Sequence, residues 1–323
     1  MPRVSPGTKA RLRRILRSGL DRLPRSWFVA LRDAHASALH LAPASARRRA
    51  LAGLVEVARH RSMPVDAFRL SDYPDVQLQG LESAVARELF WYGGDHYEGV
   101  ETYWWRRCCT IATSVLELGA NIGYYTVQGA LANPSARYVA VEPHPESVAA
   151  LEANLALSSV SHVEVVAAAA VGPPGPELVE LAIPDRDTFA APTEAFLVEG
   201  GEGVGHHVAQ RTVRVRTVEV RTLIEGVDLL KLDIEGHEAP VLESVMDEIL
   251  RSRPTIFVEV RLAEVDHLRD VIRRLAGEGY SAFAIGTSSL HLVTRGELDS
   301  ERPLPRYGTR DLILVPGESV SAL

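Results

Sequence analysis

The chain has 323 residues, of which 46% are hydrophobic and 24% are charged. This balance is typical of folded soluble proteins and excludes collagen-like, disulfide-rich and wholly disordered chains. The length allows one large domain with an appendage, or two modest domains. No apolar run approaches the roughly 18 residues of a membrane span, and the only cysteines, Cys108 and Cys109, are adjacent. Because adjacent cysteines cannot build a disulfide framework, we expect a reducing, cytoplasmic compartment.

Charge is divided unevenly along the chain. Residues 1–62 hold 14 Arg or Lys against three acids, a balance of +11, whereas residues 63–323 carry a balance of −18. Apolar residues recur at helical spacing within the basic segment. We therefore predict a basic helical extension, residues 1–105, that docks on the acidic body or forms a homo-oligomer with a second copy. Nucleic-acid binding is disfavoured because the segment has no long run of Lys or Arg.

From Ile111 onward, short apolar runs alternate with helical patterns, which is typical of a parallel sheet covered by helices on both faces. We assign residues 106–323 to this α/β domain. Residues 184–211 are mostly polar or Gly-rich, and a connection of this length predicts a lid or binding loop. The predicted strands are Ser114–Leu118, Arg137–Val141, Val163–Val171, Leu178–Ile183, Thr212–Val220, Val227–Leu232, Ile256–Val260, Tyr280–Ile285 and Asp311–Val315. The predicted helices are one ending at Leu131, then Pro145–Leu157, Ala239–Leu250 and Val265–Ala276.

A glycine turn follows the first predicted strand. Gly119 and Gly123 have the spacing Gly-x-x-x-Gly at a helix start, which leaves room for a ligand beside backbone N–H groups. The third glycine of the dinucleotide fingerprint and the Gly-Lys-Ser/Thr ending of the phosphate loop are both missing. Glu142 closes the next strand 23 residues after Gly119, near the spacing at which an acid binds a ribose diol. Together these features indicate an adenosine site.

Four ordered blocks carry a family resemblance: Glu117–Thr126, Val141–Glu146, Ala169–Gly172 and Lys231–Glu238. In these blocks the chain resembles the FkbM family of S-adenosylmethionine-dependent methyltransferases. The resemblance implies the class I methyltransferase fold, a Rossmann-like, mostly parallel seven-stranded sheet with an antiparallel last strand, here with an N-terminal helical extension. It also implies S-adenosyl-L-methionine as the cofactor. Residues 1–96 have no counterpart in it, and His144 stands where the family often has Asn.

The resemblance implies a set of cofactor-binding residues. The acid and glycine motif of the family corresponds to Glu117, Gly119, Asn121 and Gly123, its ribose acid to Glu142, and its Asp-x-Glu-Gly motif to Asp233, Glu235 and Gly236. We add two positions to this set. His144 directly follows the ribose segment and is a candidate to stack near the adenine, and Ala169 begins the block that should pass the ring.

Methyl transfer to a hydroxyl needs a group that accepts the hydroxyl proton. Because ligands bind at the carboxyl ends of parallel strands, we expect Asp233 to orient the methionine end of the cofactor or the acceptor. Glu235 or His237 is the candidate base, although Glu235 is equally suited to brace its loop through backbone N–H groups. Asp233, Glu235 and Glu259 form an alternative magnesium site, because hard cations prefer oxygen ligands. We nevertheless predict no metal.

The acceptor itself is less well defined by the sequence. Tyr97, Glu259 and the loop residues His206 and His207 are candidates for contact with it. The favoured function is O-methylation of a hydroxyl on a small or carrier-bound natural product or sugar. A nucleotide-dependent oxidoreductase and a catalytically idle, cofactor-binding subunit of a biosynthetic complex are the alternatives.

Overall fold

A computed structural model gives the structure of the chain. It describes residues 23–39, 41–42, 45–59, 63, 65–80, 83–184, 196–199, 202–203, 209–260, 265–286, 289–299, 311–317 and 319. The predicted acceptor contacts His206 and His207 lie outside the described residues, as do most of the predicted lid and the first 22 residues of the basic extension.

The strands match the predicted pattern closely in the first half of the domain. Ser114–Leu118 and Arg137–Val141 have the predicted bounds, and so does the helix Pro145–Leu157. In chain order the strands are β1 Ala67–Arg69, β2 Gln77–Gln79, β3 Ser114–Leu118, β4 Arg137–Val141, β5 Val163–Val166, β6 Ala169–Val171, β7 Leu178–Pro184, β8 Phe196–Glu199, β9 Glu202–Gly203, β10 Ala209–Glu219, β11 Leu229–Leu232, β12 Thr255–Glu259, β13 Tyr280–Ile285, β14 Leu290–Leu292 and β15 Asp311–Pro316.

The helices connect these strands and cover both faces of the sheet. Their bounds are α1 Arg25–Ala38, α2 Ala46–Ala58, α3 Ala84–Tyr92, α4 Gly99–Ile111, α5 Tyr124–Ala132, α6 Pro145–Leu157, α7 Glu238–Ser244, α8 Met246–Ser252, α9 Val265–Gly277 and α10 Arg295–Leu298. The single helix predicted over Ala239–Leu250 is therefore two helices, α7 and α8, separated at Val245, whose backbone leaves the helical conformation. None of the helices in the described parts of the chain is long and apolar enough to cross a membrane.

The central sheet has the order β14-β13-β15-β12-β11-β3-β4-β5. The pairs from β12 through β11, β3 and β4 to β5 are parallel, whereas β15 runs antiparallel to both β12 and β13. This confirms the predicted fold, in which seven mostly parallel strands include an antiparallel last strand. The short β14 adds an eighth strand at the edge beside β13.

The third predicted strand, Val163–Val171, is wrong as a single element. The Ala168 N–H donates to the carbonyl of Val166, two residues earlier, and this tight turn ends β5. The chain then enters a second sheet of order β6-β10-β7-β8-β9, in which β6 pairs with β10 in parallel. The predicted strand Leu178–Ile183 lies in β7, which pairs antiparallel with β10 in this second sheet.

The described N-terminal helices share a hydrophobic core with the sheet. Phe28 of α1 and Val55 of α2 are buried in the same cluster as Val115 of β3 and Phe257 of β12. Leu116 and Leu230 belong to a second cluster on the opposite face, as the alternation of side chains along a strand requires. The predicted boundary at residue 105 falls inside α4, and the division into two domains stays a prediction.

Candidate functional site

The glycine turn joins the ends of three neighbouring strands. The N–H groups of Gly119 and Ala120 both donate to the carbonyl of Val141 at the end of β4, at 3.0 Å each. Gly119 has a φ of +85°, and a Cβ there would lie 1.8 Å from the carbonyl oxygen of Asp233. The strand that ends at Leu232 therefore packs its backbone directly on this glycine. Close packing of backbone, and not only the approach of a ligand, requires glycine at this position.

Glu142 is fixed beside the same turn. Its Oε2 accepts the N–H of Asn121 at 2.8 Å, and its Oε1 accepts the N–H of His144 at 2.9 Å. The residue is only 7% exposed, and burial raises the pKa of its carboxyl to about 7, although both backbone N–H donors act to lower it. An ionised carboxylate has about four acceptor positions. Both oxygens therefore keep the capacity to accept a hydroxyl, which is what a ribose diol supplies, and the residues fit an adenosyl cofactor.

A buried lysine occupies the centre of the strand edge. Lys231 is 2% exposed, and its Nζ donates to Oδ2 of Asp233 at 3.0 Å and lies 4.4 Å from the centre of the Tyr125 ring. Burial acts to lower the pKa of Lys231, but the carboxylates of Asp233, Glu117 and Asp311 outweigh it and raise the pKa. A single ammonium thus compensates several carboxylates that come from different strands.

Glu117 lies inside β3, two residues before Gly119 of the glycine turn. It is 1% exposed and directly opposite Lys231 in the β3–β11 register, and its Oε2 accepts the hydroxyls of Thr126 and Tyr138 at 2.8 and 2.6 Å. Burial raises the pKa of this carboxyl, while the Lys231 charge acts to lower it. The direct contact with the cofactor that we predicted for Glu117 stays a prediction, since its visible partners are protein hydroxyls.

The motif after β11 is held by Glu238. Its Oε1 accepts the N–H of Ile234 at 2.8 Å, and its Oε2 accepts the N–H of Gly236 at 3.0 Å. Burial raises the pKa of this carboxyl to about 7. An acid in the first turn of a helix commonly accepts free backbone N–H groups. Glu238 thus braces this loop, and the bracing function that we considered for Glu235 stays a prediction.

The three predicted catalytic residues have different surroundings. Asp233 is half-buried and joined to Lys231, and its own N–H donates to the carbonyl of Leu118 at 3.0 Å. Glu235 is half-buried with a φ of +57°, a left-handed conformation that is uncommon for a residue other than glycine. His237 is 8% exposed and stands at the N-cap of α7 without a side-chain capping bond.

The candidate acceptor contacts Tyr97 and Glu259 belong to the same edge. Burial raises the pKa of Tyr97 well above its ordinary value, and the negative charges of Glu98, Asp233 and Glu259 add to this effect. Glu259 ends β12 and is paired in register with Asp311 at the start of β15. Burial also raises the pKa of Asp311, against the pull of Lys231. The structure therefore brings Tyr97, Asp233 and Glu259 together.

The two predicted adenine contacts are covered by protein. Ala169 is 2% exposed and packs with Leu181 and Val215 in the core of the second sheet. His144 is 1% exposed, and its Nδ1 lies 3.2 Å from Oε2 of Glu146. Their contact with adenine stays a prediction. Among the described residues, no group of three or more His, Cys, Asp or Glu side chains is arranged to hold a metal ion, so the magnesium alternative has no geometric support.

A model of the FkbM methyltransferase domain matches residues 117–281 of the chain. The matched range contains the glycine turn, Glu142 and the motif after β11. No curated protein sequence matches the chain at a significant level.

Solved structures are similar to the chain at a distance. The methyltransferase FkbM from Methylobacillus flagellatus KT is 13% identical with a TM-score of 0.38, over 71% of this chain and 54% of that one. The O-methyltransferase TomG from Streptomyces achromogenes is 16% identical with a TM-score of 0.36, over 68% and 80%. The cofactor-bound Rv0187 from MTB is 16% identical with a TM-score of 0.37, over 67% and 80%. Scores this low support no conclusion about substrate.

The sheet order, the glycine turn and the buried acid beside it define a class I methyltransferase that uses S-adenosylmethionine. The chain belongs to the FkbM methyltransferase family, because the domain of that family matches half of its length. The oxidoreductase alternative is therefore not retained.

Sequence reasoning missed Lys231 and Glu238 as parts of the site. Both stand in the Lys231–Glu238 block, and each carries a signal that can be read without coordinates. A lysine inside the otherwise apolar run Leu229–Leu232 is unusual, since lysine is almost never fully buried without a partner. Glu238 directly precedes the predicted helix Ala239–Leu250, at a position where an acid satisfies free N–H groups.

The contact between Gly119 and Asp233 can be tested by adding one methyl group. In Gly119→Ala, the left-handed backbone of an alanine should cost about 1–2 kcal/mol of folding stability. The overlap of its Cβ with the Asp233 carbonyl should cost a further amount of about 1–3 kcal/mol. Gly226→Ala is the matched control, because Gly226 has a φ of +70° and no atom within 4 Å of an added Cβ. We expect urea denaturation to show a clearly larger loss of stability for Gly119→Ala. Equal losses would contradict the packing argument.

Removal of the buried ammonium should also be costly. Lys231→Met leaves Glu117 and Asp311 without their compensating charge, and we expect a loss of about 3–5 kcal/mol in the free energy of unfolding. Arg214→Met is the control, because the Arg214–Glu180 pair is exposed and should contribute less than about 1 kcal/mol. A double variant, Lys231→Met with Glu117→Gln, should recover part of the loss. If urea denaturation gives similar losses for Lys231→Met and Arg214→Met, the compensating role of Lys231 is wrong.

Proposed function

We propose that this methyltransferase transfers the methyl group of S-adenosylmethionine to a hydroxyl of a small or carrier-bound natural product or sugar. The observation that carries the proposal is the convergence of carboxylates with Tyr97 at the strand edge next to the glycine turn. A hydroxyl that attacks a methyl group must lose its proton, and carboxylates at this edge are suited to accept it.

Each part of the edge has a distinct task in this reaction. The bound cofactor supplies an electrophilic methyl group on a sulfonium. Glu142, held by the N–H groups of Asn121 and His144, is placed to accept the ribose hydroxyls. Asp233, held by Lys231, is placed to orient the methionine end or the acceptor. Positioning of this kind supplies a large part of the rate in a bimolecular transfer.

The catalytically idle partner subunit remains the competing function. It shares the cofactor site and differs only in the absence of methyl transfer. The cytoplasmic location, the homo-oligomer through the N-terminal helices and a role in natural-product synthesis remain proposals. The location is supported by the two cysteines, which are free and buried.

The decisive experiment measures transfer of a labelled methyl group from S-adenosylmethionine to a panel of hydroxylated sugars and polyketide-like alcohols, with matched amines. We expect label on a hydroxyl acceptor and a rise in melting temperature with S-adenosylhomocysteine but not with NAD. Binding of S-adenosylhomocysteine without transfer to any acceptor would favour the idle subunit. Transfer to amines alone would contradict O-methylation.

The buried acid beside the turn predicts a pH dependence of cofactor binding. Only an ionised Glu142 can accept two ribose hydroxyls, and the pKa of its carboxyl is about 7. The affinity for S-adenosylhomocysteine should therefore fall about tenfold between pH 8 and pH 6, as the ionised fraction falls. Calorimetric titration of Glu142→Gln should show weaker binding that no longer varies over this range. A pH-independent affinity of the unaltered protein would argue against Glu142 as the ribose ligand.

The raised pKa of Glu142 also predicts that the cofactor-free protein loses stability as the pH rises, whereas its affinity for the cofactor increases. A carboxyl with a raised pKa in the folded state binds more protons than in the unfolded state between its two pKa values. Its stabilising contribution is present at low pH and is lost as the pH rises through about 7. Chemical denaturation without cofactor should therefore give a smaller decrease in stability between pH 5.5 and pH 8 for Glu142→Gln than for the unaltered protein.

A further inference from the structure

Glu98 has an unusual backbone for the residue that begins a helix. It stands at the N-cap of α4 with a φ of 49° and a ψ of 39°, in the left-handed region, and its side chain makes no capping bond. A left-handed conformation is strained for a residue other than glycine, and such residues are concentrated at functional sites. The conformation turns the carboxylate away from the helix end, where an acid normally binds, and toward the strand edge.

The Glu98 carboxylate is held from that edge. Its Oε2 accepts the hydroxyl of Tyr125 at 2.9 Å. The Tyr125 ring is in turn covered by the Lys231 ammonium, and Lys231 donates to Asp233. Glu98, Tyr125, Lys231 and Asp233 therefore form one connected chain of contacts from α4 through α5 to the end of β11. Glu98 is exposed as a whole residue, whereas the Tyr125 bond that holds its carboxylate is partly buried.

The charges around Glu98 set its proton affinity. Desolvation by the surrounding protein raises the pKa of its carboxyl to about 7, and the negative charge of Asp233 adds to the effect, whereas Lys231 and the Tyr125 hydroxyl act to lower it. Among the described residues, the titratable groups that interact with it, on its own helix and on neighbouring elements, are Tyr97, Glu101, Tyr125, Lys231, Asp233 and Asp311.

We propose that Glu98 is the proton acceptor of the methyl transfer. The inference rests on the proposed transfer to a hydroxyl. The acceptor oxygen forms a bond to the methyl carbon while the carbon–sulfur bond breaks, and the bonding pair remains on sulfur. The hydroxyl proton passes to the Glu98 carboxylate, which becomes a neutral acid and later releases the proton to water. The products are a methyl ether, S-adenosylhomocysteine and one proton.

Glu98 is better suited to this task than Asp233, and than His237, which is one of the two bases suggested by the sequence. Oδ2 of Asp233 already accepts a bond from the Lys231 ammonium. His237 is 8% exposed at the start of α7, where a substrate has little access to it. A base with a pKa near the working pH combines adequate basicity with the correct protonation state. In this scheme Tyr125 is a positioning residue, because it fixes the carboxylate that contacts the acceptor.

The test compares Glu98→Gln with Glu152→Gln, an exposed acid on α6 that lies outside the site. Glutamine keeps the size of the side chain and its ability to accept the Tyr125 hydroxyl, but it cannot take a proton. The acceptor is the hydroxyl compound that the labelled-methyl experiment identifies. With this acceptor and saturating cofactor, we expect kcat to fall at least 100-fold for Glu98→Gln. The affinity for S-adenosylhomocysteine, measured by calorimetry, should change less than twofold. Glu152→Gln should leave both quantities unchanged.

The pH profile separates proton transfer from a structural effect. The kcat of the unaltered enzyme should rise with pH to a plateau, with a midpoint near the pKa of Glu98 in the complex. Tyr125→Phe removes a donor that stabilises the ionised carboxylate, so the midpoint should move to higher pH. Carbon-13 NMR of glutamate-labelled protein gives a readout without any acceptor: the carboxyl signal missing in Glu98→Gln should titrate near pH 7 and shift upward in Tyr125→Phe.

Two results would overturn the proposal. A Glu98→Gln enzyme with normal kcat shows that another group takes the proton. A loss of S-adenosylhomocysteine affinity greater than tenfold assigns Glu98 to the cofactor site instead. If the unaltered enzyme methylates only amines, O-methylation fails as the proposed function, and the same variants measured on the amine decide separately whether Glu98 accepts the proton.

Discussion

The ammonium of Lys231 allows the strand edge to carry its acids. Three carboxylates surround it: Glu117 in β3, Asp233 directly after β11 and Asp311 in β15. Glu117 and Asp311 are buried. Burial of a charge without compensation costs several kcal/mol per ion. The chain otherwise uses arginine almost throughout, since its other lysine is Lys9. A compact ammonium fits between two strands and over a ring, where a planar guanidinium would need a wider space.

The single ammonium of Lys231 does not compensate all the carboxylates at this edge of the sheet. Glu98, Glu142 and Glu238 all have a pKa near 7 because the protein around them disfavours their charged form. Glu238 and Glu142 both accept backbone N–H groups, and Glu98 accepts the Tyr125 hydroxyl. In our proposals Glu98 and Glu142 also meet ligand hydroxyls, which would stabilise their charged forms. Such binding would couple the stability of the empty enzyme to its affinity for ligands.

The sequence predicted most of the central sheet because its signals are local. Buried strands such as β3 and β4 are short apolar runs closed by glycine or an acid, and the helix at Pro145 begins with a residue suited to a first turn. The break after Val166 was missed because Ala167–Ala170 is uniformly apolar, so periodicity does not show where the chain changes sheets. The charge pairs were missed for another reason. Lys231 meets Glu117 through the register of β3 with β11, and it interacts with Asp311 of β15 across the sheet; no local pattern records either contact.

The residues that we propose for cofactor binding and for proton transfer lie in different parts of the chain. The domain shared by the family begins at residue 117, so the glycine turn, Glu142 and the β11 motif all lie inside it. Glu98 lies before that range and reaches the edge because α4 packs beside α5, where the Tyr125 hydroxyl donates to the Glu98 carboxylate. In our proposals the proton acceptor therefore stands at the start of α4, outside the matched domain, whereas the residues that would bind the cofactor lie within it.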